Sequence, residues 1–175
     1  MVSQNATAQA VRWAALLGAL GETDTRRVLK RLRCSNTCIE ETAVLVRETA
    51  GEGVCRSFSE EKASAHPGDI HIRRLLGRYG LRTVERLCAL CAALHPQNAP
   101  DCALAAQRVR QLEADGVCCR VSQLAVNGRD LMAAGIPAGP ALRRVLEALL
   151  DGVIRAEYPN EKPALLAAAQ KIIAS

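Results

Sequence analysis

The stretch "GRDLMAAGIPAGPALRRVLEALLDG", residues 128–152, sets Gly128, Gly135, Gly139, Pro137 and Pro140 into an alanine- and leucine-rich run and follows them with Arg143 and Arg144. Each residue type has a local job. Gly135 is placed as the residue after a helix end that must take a positive φ, and Pro137 stiffens the connector. Gly139 is expected to let another backbone come close, and Pro140 fits the first position of the next helix. The N–H groups at that helix start offer an anion site with Arg143 and Arg144 one turn in. The same turn also serves as a tight helix–helix connector, with Leu142, Val145, Leu146 and Leu149 packing inward. Either reading makes this region two helices around a Gly/Pro turn.

Outward from that turn the chain stays helical. Half of the 175 residues are apolar, yet the aromatics are Trp13, Phe58, Tyr79 and Tyr158 alone. Such a core is aliphatic, which favours helix on helix over a β-sandwich, and the fold class expected is all-α. Residues 7–20 space Val11, Ala14, Ala15, Leu17 and Leu20 as a helix closed by Gly21. A second helix opens near Thr23 with Val28, Leu29 and Leu32 inward, flanked by Arg26, Arg27, Lys30, Arg31 and Arg33. Ser35 is a candidate N-cap for a helix burying Ile39, Val44, Leu45 and Val46. Residues 51–68 read as a loop, after which Asp69 starts a helix ended by Gly80. Arg74, Arg78, Arg82 and Arg86 recur at every fourth position across that break. Further helices are expected over 82–95, from Pro100 or Asp101 to before Gly116, near 130–134, from Pro140 to about Ile154, and after Asn160 as N-cap. The texture changes between 115 and 121, giving a helical body over 1–117 and a smaller tail over 118–175.

A net charge of +5 carried almost wholly by arginine suits a nucleic-acid or phosphorylated partner, since the planar guanidinium matches phosphate oxygens. Arginines on solvated helix faces give the same composition. The eight cysteines form no ribbon or finger pattern. Cys88 and Cys91 lie inside an apolar helical run, and buried free thiols in a reducing cytoplasm are expected. "VRWAALLGALG", residues 11–21, reads as a core helix rather than a leader, and no run reaches the ~18 apolar residues of a membrane span. His66, Asp69 and His71 lack further ligands, so no metal site is expected.

Residues 124–169, "LAVNGRDLMAAGIPAGPALRRVLEALLDGVIRAEYPNEKPALLAAA", resemble the C-terminal tail of bacterial tRNA nucleotidyltransferases, the CCA-adding enzymes and their poly(A) polymerase relatives. The spaced signature is Gly128, Asp130, Leu131, Gly135, Gly139, Pro140, Asn160 and Lys162. Upstream, "VRWAALL", "VLKRLRCSN" and "IRRLLGRYG" look like the helical body of the same proteins. The resemblance implies catalysis by an N-terminal head holding magnesium and nucleoside triphosphates, through Gly-x-Asp-x-Asp, RRMD-like and EDxxR-like segments. These 175 residues contain none of the three, and Gly18 and Ala19 stand where some relatives carry a His-Asp pair. The expectation is therefore a non-catalytic body-plus-tail portion, without cofactors of its own, whose partner is tRNA.

Duplex RNA read by shape and phosphate suits a chain rich in arginine and poor in aromatics. Candidate contacts in the tail are Arg129, Gly135, Gly139, Arg143, Arg144 and Lys162. In the body they are Arg26, Arg27, Lys30, Arg74 and Arg78. Asp130 is read as a capping residue. Two rivals stand beside this reading: a helix-hairpin-helix DNA-binding module, which "GIPAG" also resembles, and a helical scaffold that binds no nucleic acid. A homodimer through apolar faces left by an absent head is allowed.

Overall fold

A computed structural model describes residues 2–50, 54 and 68–174, with side chains for 9–50, 54 and 70–173. The helices are α1 (Val2–Leu17), α2 (Gly21–Arg31), α3 (Asn36–Thr49), α4 (Gly68–Tyr79), α5 (Leu81–Leu94), α6 (Ala99–Ala114), α7 (Gly128–Ala133), α8 (Pro140–Ile154) and α9 (Lys162–Ala174). There is no strand among the described residues, and the fold is all-α. None of these helices is long and apolar enough to cross a membrane.

Local chemistry sets the boundaries. Ser35 takes extended backbone angles and its Oγ accepts from the Cys38 N–H at 3.2 Å, capping α3 as expected. Gly80, at φ +75°, turns the chain between α4 and α5, so the four-residue arginine repeat is split between two helix axes. Arg74 and Arg78 stay exposed on α4, whereas Arg86 is buried on α5 and pairs with Glu41 of α3 at 2.8 Å. One expected core residue is displaced. Leu32 lies past the last turn of α2, where Arg33 takes φ +55°, and its side chain is 55% exposed instead of continuing the Leu29 stripe.

Packing is aliphatic throughout. Ala10 and Ala14 of α1 meet Leu45 and Val46 of α3 and Leu87 and Leu90 of α5. Leu76, Val84, Cys88, Val109 and Leu112 join α4, α5 and α6. Leu131, Ile136, Val145, Leu149, Leu165 and Ala169 make a separate cluster under α7, α8 and α9. Each fully buried Leu contributes about 1.5–3 kcal/mol relative to exposure, which lets a chain with few aromatics fold. Cys34, Cys38, Cys102, Cys118 and Cys119 are free thiols, and burial pushes Cys119 up to about 11. Cys91 departs from the expectation because it is disulfide-bonded. Helical spacing assigns a thiol to a face but not the sulfur opposite it.

The N-terminal helices meet the C-terminal ones at a tight seam. A Cβ on Gly77 of α4 would lie 2.0 Å from the carbonyl oxygen of Cys119, so the absence of a side chain is what lets the backbones approach. Nearby, the Arg73 guanidinium donates to the Ile154 carbonyl at 3.4 Å, a cation at the C-terminal end of α8 where the helix dipole favours it.

Candidate nucleic-acid interface

The Gly/Pro turn is built by capping at both ends. Asn127 Oδ1 accepts from the N–H groups of Arg129 (2.8 Å) and Asp130 (3.2 Å), while Asp130 Oδ2 accepts from the Asn127 N–H at 3.0 Å. This reciprocal box starts α7 and gives Asp130 the capping role expected of it. Its other oxygen accepts from Lys162 Nζ at 2.6 Å. The Lys162 ammonium, followed by the Asn127 backbone N–H, holds the Asp130 carboxyl below the usual carboxylate range. At the far end, Gly135 takes φ +93° and donates to Met132 O, while Ile136 donates to Leu131 O and is itself buried. These two bonds join the Ala134 N–H in satisfying the carbonyls at the end of α7.

Two expectations about this region are corrected. Gly139 sits at φ +115° before Pro140, but a Cβ there would meet nothing within 4 Å. Its conformation, not a close backbone, requires glycine. Asn160 does not cap α9, whose Leu165 N–H donates to the Glu161 carbonyl. Instead its Oδ1 accepts from Ala125 N–H and its Nδ2 donates to Gln123 O, each at 2.9 Å. The amide thereby mimics a strand partner for the 123–125 segment, and that satisfies both of its ends.

The candidate cations fall into three groups. On α2, Arg26 is engaged by Glu22 at 3.0 Å and also by Glu40, and Arg27 by Asp24 at 2.9 Å, while Lys30 is exposed. Around the turn, Lys162 is held by Asp130, whereas Arg129 and Arg144 are exposed and show no ion pair among the described residues. Arg143 is 82% exposed and reaches Glu147 one turn on at 2.8 Å.

The third group converges. Arg74 and Arg78 of α4, Arg120 of the connecting segment and Arg143 of α8 line one cleft of about 650 Å³ at the seam, together with Glu147 and Asp151. Arg74 Nε lies 3.0 Å from Asp151 Oδ1, and Arg120 is 3.8 Å from Glu113. Arg78 rests 5.7 Å from the centroid of the Tyr79 ring. Four guanidiniums against two carboxylates leave the cleft positive. Burial, with the Arg74 charge second, lowers the His71 pKa. Arg120 escaped sequence reading because "CCRVSQ" carries no helical period that would place it.

Chemically this arrangement is one that can accept an anion. Guanidinium forks donate in a plane that matches phosphate oxygens, and partial exposure leaves them within reach of a ligand. Among the described residues no group of three or more His, Cys, Asp or Glu is placed to hold a metal. His66 and the Asp69 side chain lie outside the described residues.

Residues 77–169 match the family described as "tRNA nucleotidyltransferase domain 2 putative". A CCA-adding enzyme of Geobacillus kaustophilus is 30% identical over 158 residues, covering 89% of this chain and 35% of that protein. A CCA-adding enzyme of Levilactobacillus brevis is 56% identical over 45 residues, 26% of this chain and 11% of that protein. The chain thus spans about a third or less of these curated relatives. No solved structure matches it. The family match takes in α5 to α8, most of α9, the Gly/Pro turn and the arginines on the tail side of the cleft, and on it the chain belongs to the tRNA nucleotidyltransferase domain 2 family.

Proposed function

We propose that this chain is the tRNA-holding, non-catalytic portion of a CCA-adding tRNA nucleotidyltransferase, with residues 1–117 as body and 118–175 as tail. The observation that carries the reading is the seam cleft, where Arg74 and Arg78 from one side and Arg120 and Arg143 from the other face a common space. Family membership supports it, as does the name CCA-adding enzyme borne by both relatives. The arginines grip backbone phosphates of an A-form stem and ignore base identity, as a protein serving every tRNA requires. Nucleotide transfer, with its magnesium and nucleoside triphosphate, belongs to a catalytic head of the kind these 175 residues do not encode.

The test is equilibrium binding of the chain to unmodified tRNA, to tRNA lacking its T arm and to duplex DNA across a salt series. Tight, salt-sensitive binding to intact tRNA that weakens without the T arm is the expected outcome. DNA competing as well as tRNA would favour a helix-hairpin-helix module, and binding to none of the three would leave a scaffold.

A further inference from the structure

Asp151 occupies the arginine cleft in an instructive way. Arg74 directs both Nε and Nη2 at its Oδ1, at 3.0 and 2.5 Å, and Arg155 directs Nε at its Oδ2 at 2.8 Å. Two guanidiniums, Arg74 of α4 and Arg155 just past the end of α8, thus divide the two oxygens of one carboxylate, an arrangement in which guanidiniums also hold phosphate. The pair is accessible, with side-chain exposures of 46% for Arg74 and 39% for Asp151. Exposed ion pairs hold weakly and exchange readily with solvent ions. Arg78 and Arg120 line the same space and have no carboxylate closer than 3.8 Å among the described residues.

The geometry points to Asp151 as a built-in stand-in for a backbone phosphate, holding Arg74 in reserve until a nucleic-acid phosphate displaces it. This rests on the reading of the chain as a nucleic-acid holder and adds the regulation of that site. Before binding, Arg74 rests across the seam against Asp151, which offsets part of the repulsion among the four guanidiniums. On binding, the phosphate offers more oxygens and more charge than the carboxylate, and Arg74 turns to it. Asp151 then remains beside the ligand as a repulsive group, so the site releases as well as holds. A holder whose substrate must leave after processing gains from that.

Asp151→Asn tests this, because the amide keeps the size and an acceptor for Arg74 while removing the charge. Binding of tRNA and, separately, of inorganic pyrophosphate is measured for the wild type, Asp151→Asn, Arg74→Gln, the double variant and Glu157→Gln, each checked for folding by circular dichroism. For Asp151→Asn the expected gain in tRNA affinity is about three- to tenfold at low salt, because Arg74 no longer has to leave a carboxylate before it meets the phosphate. The gain vanishes in the double variant. Arg74→Gln alone lowers the wild-type salt slope by about 0.9, one phosphate fewer neutralised, and Glu157→Gln, which removes a carboxylate Arg74 does not touch, brings no gain. An unchanged or weaker Asp151→Asn, or a gain that survives loss of Arg74, overturns the inference while leaving tRNA holding intact. Pyrophosphate binding that rises with Asp151→Asn through Arg74, in a chain that ignores tRNA, upholds the reserve arginine and removes the nucleic-acid reading instead.

Discussion

Lys162 Nζ stands 2.6 Å from Asp130 Oδ1, tying the first residue of α9 to the first turn of α7 across 32 positions of sequence. The same carboxylate receives the Asn127 N–H, so one side chain closes a helix cap and an inter-helix link together. Lys162→Met should therefore move the Asp130 titration upward, but not fully to the ordinary value, because the Asn127 bond persists. The sign for stability follows. A carboxyl whose folded pKa is depressed adds stability that is present above the unfolded value and lost as pH falls through the folded one. Carboxyl NMR titration of both proteins reads this directly, and an unmoved Asp130 would mean that Lys162 does not hold it in solution.

Asn160 fastens the 123–125 segment through one acceptor and one donor. Asn160→Ala loses both and should cost on the order of 1–2 kcal/mol, since a net hydrogen bond contributes about 1 kcal/mol. Asn160→Asp keeps the acceptor for Ala125 and turns the donor into a repelling oxygen against the Gln123 carbonyl, so it should rescue little. Urea melts of the three proteins, with amide exchange at Ala125, distinguish a clamp from an incidental contact.

Gly135 and Gly139 differ in what they require. Gly135, at φ +93°, lies on the left-handed side, and Gly139, at φ +115° and ψ −152°, lies in a region essentially confined to glycine. Neither has a neighbour within 4 Å of an added Cβ. The cost of alanine is therefore conformational alone, about 1–3 kcal/mol, and larger at Gly139. Gly135→Asn should be milder than Gly135→Ala, because asparagine tolerates positive φ. Thermal melting that ranks Gly139→Ala as the mildest of the three would contradict this.

Gly77 is the opposite case, with ordinary helical backbone and no room. An alanine Cβ would sit 2.0 Å from the Cys119 carbonyl oxygen, a backbone atom that cannot swing aside. Gly77→Ala should destabilise by about 1–3 kcal/mol or more and part the seam, which the loss of the Arg74–Asp151 contact would report. Retained stability would show that the 119 segment is free to move.

Helix positions were readable because the periods are long and the punctuation is local: Ser35 caps α3, Pro140 begins α8, and Gly80 and Gly135 bend the chain where glycine was expected to. Local rules stop at contacts between distant segments. Asn160 has the residue type of an N-cap, yet its partners lie 35 and 37 positions away. Gly139 was assigned the close approach that Gly77 actually makes, since both are glycines in helical surroundings and only the packing tells them apart. Among the arginines, sequence singled out Arg74, Arg78 and Arg143 but not that they share a cleft, and it missed Arg120, which completes it. It also gave Arg26 and Arg27 equal standing, although Glu22 and Asp24 engage them within α2 itself and only Glu40 needs α3 alongside.

That difference in neutralisation ranks the arginines for ligand binding. Arg78 carries no carboxylate partner among the described residues and Arg120 only a distant one at 3.8 Å, so each has donors to give a phosphate without first breaking a strong pair. Arg27 must leave Asp24, and Arg26 must leave both Glu22 and Glu40. If each of Arg78 and Arg120 neutralises one phosphate, Arg78→Gln with Arg120→Gln should lower the salt slope for tRNA by about 1.8 and weaken binding without regard to sequence. Arg26→Gln with Arg27→Gln should change the slope by far less and instead lower thermal stability slightly through the lost pairs, exposed ones of this kind contributing about 0–1 kcal/mol. The two double variants carry the same change in net charge. Equal losses from both would mean that tRNA senses only the total charge of the protein, and a larger loss from the α2 pair would place the RNA on that helix instead of the seam.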